Sequence, residues 1–149
     1  MKRIGLFFFT LCLSAFAGFT QKTDDINKLK ATGPYLVAVP DTVNLGEILL
    51  NDLSDEHGKV QITIKNEGSK PLILNKVEGC CGTNIKEWTK APILPGKSGT
   101  IRVEFRTEPR PQRISRTVTI YSNAPNAKPL KVPIEGVVIE GKHKNEITL

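Results

Sequence analysis

The chain has 149 residues, with 21 Lys and Arg against 15 Asp and Glu for a net charge of +6, and only 6% aromatic residues. That length holds one domain and buries roughly two-thirds of its unfolded surface, so no disulfide scaffold is required. The scarcity of aromatic side chains argues against single-stranded nucleic acid, whose bases stack on such residues.

Met1-Lys2-Arg3 opens the chain with positive charge, and Ile4 to Phe16 is an apolar run closing on Ala15-Phe16-Ala17. A charged start, a short apolar run and a small-x-small end predict a secretory signal peptide over 1–17. A membrane-spanning helix is the alternative, but a span needs about 20 apolar residues. Leu11 before Cys12 argues against a lipid-anchored start. Export places the protein in the periplasm or cell envelope, with no membrane span in the mature chain, and places Cys80 and Cys81 in an oxidising compartment. Residues 18–34 are polar, without an apolar face of useful width, and are expected to form a linker.

From 35 to 140 the chain reads as one domain of short strands. Tyr35-Leu36-Val37-Ala38-Val39 is a β-rich run closed by Pro40-Asp41, and Val43 and Leu45 continue the alternation. Val60, Ile62 and Ile64 face one way while Gln61, Thr63 and Lys65 face the other, the pattern of a half-buried strand. Pro71 to Val77 is a further strand led by its proline. Ile101, Val103 and Phe105 alternate with Arg102, Glu104 and Arg106; Thr117 to Tyr121 follows a proline-rich break, and Leu130, Val132 and Ile134 lead into Val137-Val138-Ile139. Residues 141–149 are a polar C-terminal tail. No window has helical periodicity. These features predict an all-β, immunoglobulin-like β-sandwich of about seven strands with Greek-key connections. An up-and-down barrel is the competing architecture, and the varied turn lengths favour the sandwich.

Val77-Glu78-Gly79-Cys80-Cys81-Gly82-Thr83, a glycine-flanked cysteine pair followed by Trp88, is the stretch where chemistry is concentrated. The order of phrases around it resembles the domain of unknown function 1573 family, exported bacterial immunoglobulin-like modules related to Hydin-type and major-sperm-protein-like domains. The resemblance runs from Val43 to Val138 through Leu45-Gly46-Glu47-Ile48, Ile64-Lys65-Asn66-Glu67-Gly68, Pro71-Leu72-Ile73-Leu74, the cysteine loop with Trp88, and Ile93-Leu94-Pro95-Gly96. It continues through Gly99-Thr100-Ile101 and Ser122-Asn123-Ala124 to Leu130–Gly136. It implies a secreted β-sandwich with no assigned enzymatic activity. The family's loop is similar to Ser-Cys-Gly-Cys-Thr, which lays Cys81-Gly82 on its Cys-Gly, Cys80 on its serine and Thr83 on its second cysteine. The Cys-x-Cys spacing is therefore absent from this chain.

The candidate binding residues are Cys80, Cys81, Trp88, Arg102, Arg106, Arg110 and Arg113. Three readings of the cysteines stand side by side: one thiol packed inward and one on the loop surface, a vicinal or intermolecular disulfide, or a soft-metal site. Adjacent Cα atoms lie about 3.8 Å apart, below the usual disulfide range, so a vicinal bond would be strained and labile. Two thiolates would favour Cu(I), but His57 and His143, in a turn and a tail, suggest no third ligand. Trp88 is expected beside the cysteine loop as core or edge cover, or as an exposed anchor for a partner. The arginines, with Arg116, mark either the wet side of a sheet or a site for an anionic glycan or lipid. No serine elbow, zinc motif, phosphate-cradling glycine loop or acid pair stands out, and no cofactor is expected. The expected function is thus a non-enzymatic module that contacts another envelope protein through its loops or an exposed sheet edge. The alternative is a thiol redox or copper-binding protein acting through Cys80 and Cys81.

Overall fold

In a computed structural model of the protein, residues 20–141 are described; the expected signal peptide (1–17) and most of the polar tail, with His143, lie outside them. Eight strands form two four-stranded sheets. They are β1 (Leu36–Val39), β2 (Val43–Leu49), β3 (Lys59–Asn66), β4 (Leu74–Gly79), β5 (Thr83–Trp88), β6 (Ser98–Phe105), β7 (Gln112–Ser122) and β8 (Leu130–Ile139). One sheet has the order β1-β3-β6-β5 and the other β2-β8-β7-β4. This is the constant-type immunoglobulin arrangement, with the first strand split between the sheets. β1 pairs antiparallel with β3, whereas β2 crosses over to run parallel to β8.

The expected alternation places the core. Ile62, Ile64 and Ile101 from one sheet face Val118, Ile120, Val132 and Ile134 from the other, all fully buried. Burying such side chains stabilises by about 1.5–3 kcal/mol each relative to exposure.

Four elements differ from the reading of the sequence, one of them β7, which begins at Gln112 where the strand was expected from Thr117. Residues 18–34, expected as a linker, include a helix, α1 (Thr20–Thr32). It lacks an apolar stripe, Ile26 being half-buried and Leu29 36% exposed, and contacts with the sandwich anchor its end. Lys30 Nζ meets Glu67 Oε2 at 2.8 Å, and Ser69 Oγ donates to the Ala31 carbonyl at 2.8 Å. A further difference is β5, a strand in a stretch to which the sequence reading assigns no element. Its bulge between Ile85 and Glu87 breaks the two-residue period that identifies a strand. Finally, β4 starts at Leu74 rather than Pro71. Leu72 instead exchanges backbone hydrogen bonds with Ile93, at 2.9 and 2.8 Å, in a bridge outside the named strands.

Among the described residues one polar residue, Asn66, is wholly enclosed. The Asn66 side chain accepts from the Tyr35 and Gly68 N–H groups at 3.3 and 3.0 Å and donates to the Lys70 and Ile93 carbonyls at 2.8 and 2.9 Å. With no exposed surface, it ties the approach to β1, the β3–β4 turn and the Ile93 segment together.

Candidate functional site

The cysteines sit where the chain passes from one sheet to the other. Edge strand β4 ends at Gly79, edge strand β5 begins at Thr83, and the four residues from Cys80 to Thr83 close a turn by a Thr83 N–H to Cys80 C=O bond of 2.9 Å. Both central residues are left-handed, Cys81 with φ 33° and Gly82 with φ 73°, as in a type I′ turn. Glycine adopts that region freely; a cysteine there is uncommon. Cys80 is half-buried and Cys81 exposed, and both thiols are free.

Cys80 has a definite backbone role. Its N–H donates to the Thr117 carbonyl at 3.0 Å, and its Sγ accepts from the Thr117 N–H at 3.1 Å. The thiol thus continues the β4–β7 ladder one residue past the end of β4. Among the described residues no group of three or more His, Cys, Asp and Glu is placed to hold a metal ion. His57 lies in a 3-10 turn (Asp55–Gly58), where its Nδ1 accepts from the Ser54 N–H at 3.2 Å.

Trp88 ends β5 opposite Ile101 and packs half-buried against the core, with the Lys90 ammonium 5.1 Å from its ring centroid. Its indole N–H is shielded and has no partner among the described residues.

The arginines, close in sequence, do not form one patch. Arg102 points outward from β6 and pairs with Glu87 of β5 at 3.2 Å. Arg110, in the β6–β7 loop, pairs with Glu108 at 2.6 Å. Arg113 lies beside the β2 bulge, in a shallow cavity of about 390 Å³ shared with Glu47 and Glu135. Arg106 lies just beyond β6, facing a different cavity of about 560 Å³.

The most unusual of the set is Arg116, which the sequence reading groups with the arginines of a wet sheet face or an anionic site but leaves out of the candidate binding residues. Arg116 sits on β7 opposite the fully buried Ile134 and in step with Ile114, Val118 and Ile120, a register that faces the core. Its guanidinium carbon lies 6.0 Å from the Phe105 ring centroid, and its Nε is shielded without a partner among the described residues. An unpaired buried donor costs roughly 1–3 kcal/mol. Arg116 lines the same cavity as Arg106, together with Gly82 and Asn84 beside the cysteine turn and the pair Lys86–Glu104, joined at 2.8 Å. Hydrogen bonding from Lys86, followed by the field of its charge, holds the Glu104 carboxyl below its ordinary range. The signal that could have exposed Arg116 is its place in the alternation: read backwards from Ile120 and Val118, position 116 is an inward one.

The two sheets, the split first strand and the turn that joins two edge strands define the class as an immunoglobulin-like β-sandwich. More narrowly, the chain belongs to the family described as "Protein of unknown function (DUF1573)", which matches residues 40–138. No curated protein matches the sequence. Among solved structures, the chain is similar to a protein of unknown function from Porphyromonas gingivalis W83, with 20% identity and a TM-score of 0.56, covering 72% of this chain and 48% of that one. It is also similar to the secreted serine protease VesC from Vibrio cholerae, with 12% identity and a TM-score of 0.51, over 78% of this chain and 24% of that one. SSP-19, an MSP-domain protein like family member in Caenorhabditis elegans, aligns at 13% identity and a TM-score of 0.40, over 67% of this chain and 97% of its own. The chain thus matches about half or less of the length of the first two, and at these identities the likeness is one of fold.

Proposed function

We propose that this protein is an exported, non-enzymatic binding module of the bacterial cell envelope that holds another envelope protein along the β4 edge. The observation that carries the reading is an open strand edge with apolar anchors at one end. β4 has a neighbour on one side only, β7. Beside its first residues stand three exposed large apolar side chains: Ile73 at 40%, Leu94 at 55% and Tyr121 at 38%. Ile73 is fixed there by Asn123, whose Oδ1 accepts the Ile73 N–H at 2.9 Å. Leu94 follows Ile93, the bridge partner of Leu72, and Tyr121 lies opposite Lys76 of β4. An extended partner segment added to an edge gains backbone hydrogen bonds, and apolar side chains at one end set its register. Export rests on the charged start and apolar run of residues 1–17.

A photo-reactive residue at position 73 or 94, with one at Thr63 on the far sheet as control, tests the reading in envelope fractions. A discrete adduct from 73 and 94 but not from 63, lost when Tyr121→Asp is added, is the expected result. No adduct from either position, with the purified protein monomeric, refutes it.

A further inference from the structure

At the opposite end of β4, the cavity beside the cysteine turn has the make-up of an anion site. It is bounded by the start of β5, the end of β6 and the inward register of β7, with a volume of about 560 Å³. Of its four charged side chains, Lys86 and Glu104 neutralise each other across 2.8 Å. Arg106 and Arg116 remain, and neither forms an ion pair with an acidic side chain among the described residues. Arg106 shares the field of Glu104, but three cations against one carboxylate leave the cavity with a net charge of +2.

The second observation is independent of charge. Four side chains among the described residues hold a shielded polar atom with no partner within the chain, and three of these gather at this end: Arg116 Nε, Thr83 Oγ1 and Thr107 Oγ1. Thr83 lies opposite Phe105 in the β5–β6 ladder, and Thr107 is two residues beyond Phe105. Arg116 lines the cavity itself, whereas Thr83 and Thr107 only adjoin its lining residues Gly82, Asn84 and Arg106 in sequence. Buried donors are nearly always satisfied, so an unpaired Nε on a residue that lines a cavity points to a ligand rich in acceptors. Arg116 adds a positional argument. Its register is one that apolar residues fill elsewhere on β7, and a ligand that meets its Nε–H explains a guanidinium there.

We infer that this cavity binds a dianionic phosphoryl group, held between the guanidinium groups of Arg106 and Arg116. A phosphate monoester carries about −1.5 to −2 charge at neutral pH and offers three acceptor oxygens, matching two cations and the unpaired Nε–H of Arg116. Arginine suits it because its planar fork can give two parallel N–H bonds to adjacent phosphate oxygens. Gly82, at φ 73° and with open space where a Cβ would project, leaves the wall at the turn unobstructed. This site is separate from the Ile73 end of β4, so either assignment can fail alone.

The test is NMR titration of the full chain with inorganic phosphate, at ionic strength held constant with chloride. Saturable shifts of the Arg116 Nε–H and the Gly82 and Asn84 amides are expected. Arg116→Met and Arg106→Gln should each weaken binding at least tenfold, and Arg113→Gln should leave it within twofold. Arg116→Lys, which keeps the charge but not the fork, should also weaken it. The absence of saturable shifts, equal shifts at Arg102, Arg110 and Arg113, or unchanged binding in folded Arg116→Met and Arg106→Gln overturns the inference. Sedimentation with phosphatidylcholine vesicles with and without phosphatidic acid identifies the source. Phosphatidic acid-dependent sedimentation competed by inorganic phosphate supports a lipid headgroup, and saturable phosphate binding without sedimentation supports a soluble phosphate.

Discussion

Asn66→Ala should be among the most destabilising single changes in this domain, although it removes only an amide group. Four hydrogen bonds go with it, each worth about 0.5–1.5 kcal/mol net. The partners do not lose equally. The Ile93 carbonyl keeps its bond from the Leu72 N–H at 2.9 Å, whereas the Tyr35 N–H, Gly68 N–H and Lys70 carbonyl lose the side-chain partner they had. The cost should come to about 3–4 kcal/mol, a large part of the 5–15 kcal/mol that holds a typical domain together. Urea unfolding followed by fluorescence of Trp88, the single tryptophan, reads it directly. With a slope of about 1.5 kcal/mol per molar, the midpoint should fall by about 2 M without a change of slope. Asn66→Asp is the sharper variant. It keeps the acceptor oxygen but sets a buried carboxylate against the Lys70 and Ile93 carbonyls, which raises its pKa in the folded state. The penalty is then full at neutral pH and relieved as pH falls through that raised value, because the protonated acid can donate again. An Asn66→Ala cost below about 1 kcal/mol, or an Asn66→Asp deficit that does not shrink on mild acidification, would refute the assigned role.

Other consequences follow from the same contacts. Arg116→Met should leave stability unchanged or raise it by about 1 kcal/mol, since it removes a partly buried guanidinium with an unpaired Nε; a loss above about 2 kcal/mol would mean the arginine holds the fold together. Glu67 is held below its ordinary pKa first by hydrogen bonding from Lys30 and then from Lys65, and Lys30 is held above its own by hydrogen bonding to Glu67. The attachment of α1 should therefore be complete above the unfolded Glu value of about 4.3 and be lost as pH falls through the lowered folded value. At the other limit it is complete below the unfolded Lys value of about 10.4 and lost as pH rises through the raised folded value. Amide exchange of the last turn of α1 measures both limits, and a rate that is flat across acid would contradict the pairing. Alkylation of unreduced native protein should modify Cys81 at once and Cys80 slowly, as its Sγ is half-buried and engaged by the Thr117 N–H; equal rates would contradict that contact.

Much of the sandwich was legible because β3 and β6 alternate cleanly, Val60-Ile62-Ile64 against Ile101-Val103-Phe105, and a buried face enforces that period. What escaped had specific causes. In β5 the bulge at Ile85–Glu87 shifts the phase within six residues, so Thr83, Ile85 and Trp88 show no strand alternation. α1 has no amphipathic stripe, and its anchoring contacts with Glu67 and Ser69 are distant in sequence. The first half of β7 was hidden by Arg116 itself, a charge where an apolar residue would have completed the pattern. The cysteine turn announced itself through its flanking glycines. The arginines were misleading in the opposite way, since successive residues on strands alternate faces and the β6–β7 loop separates the rest.

The split of the first strand also decides how the domain would bear tension. β2 runs parallel to β8, so the leading end of one and the trailing end of the other lie at opposite ends of their shared ladder. A pull applied through the two ends of the chain would slide these strands past each other, loading their hydrogen bonds together instead of parting them one at a time. The seam between β2 and β8 is thus a shear clamp, which a pull from the N-terminal side reaches once the β1–β3 pair ahead of it has been loaded.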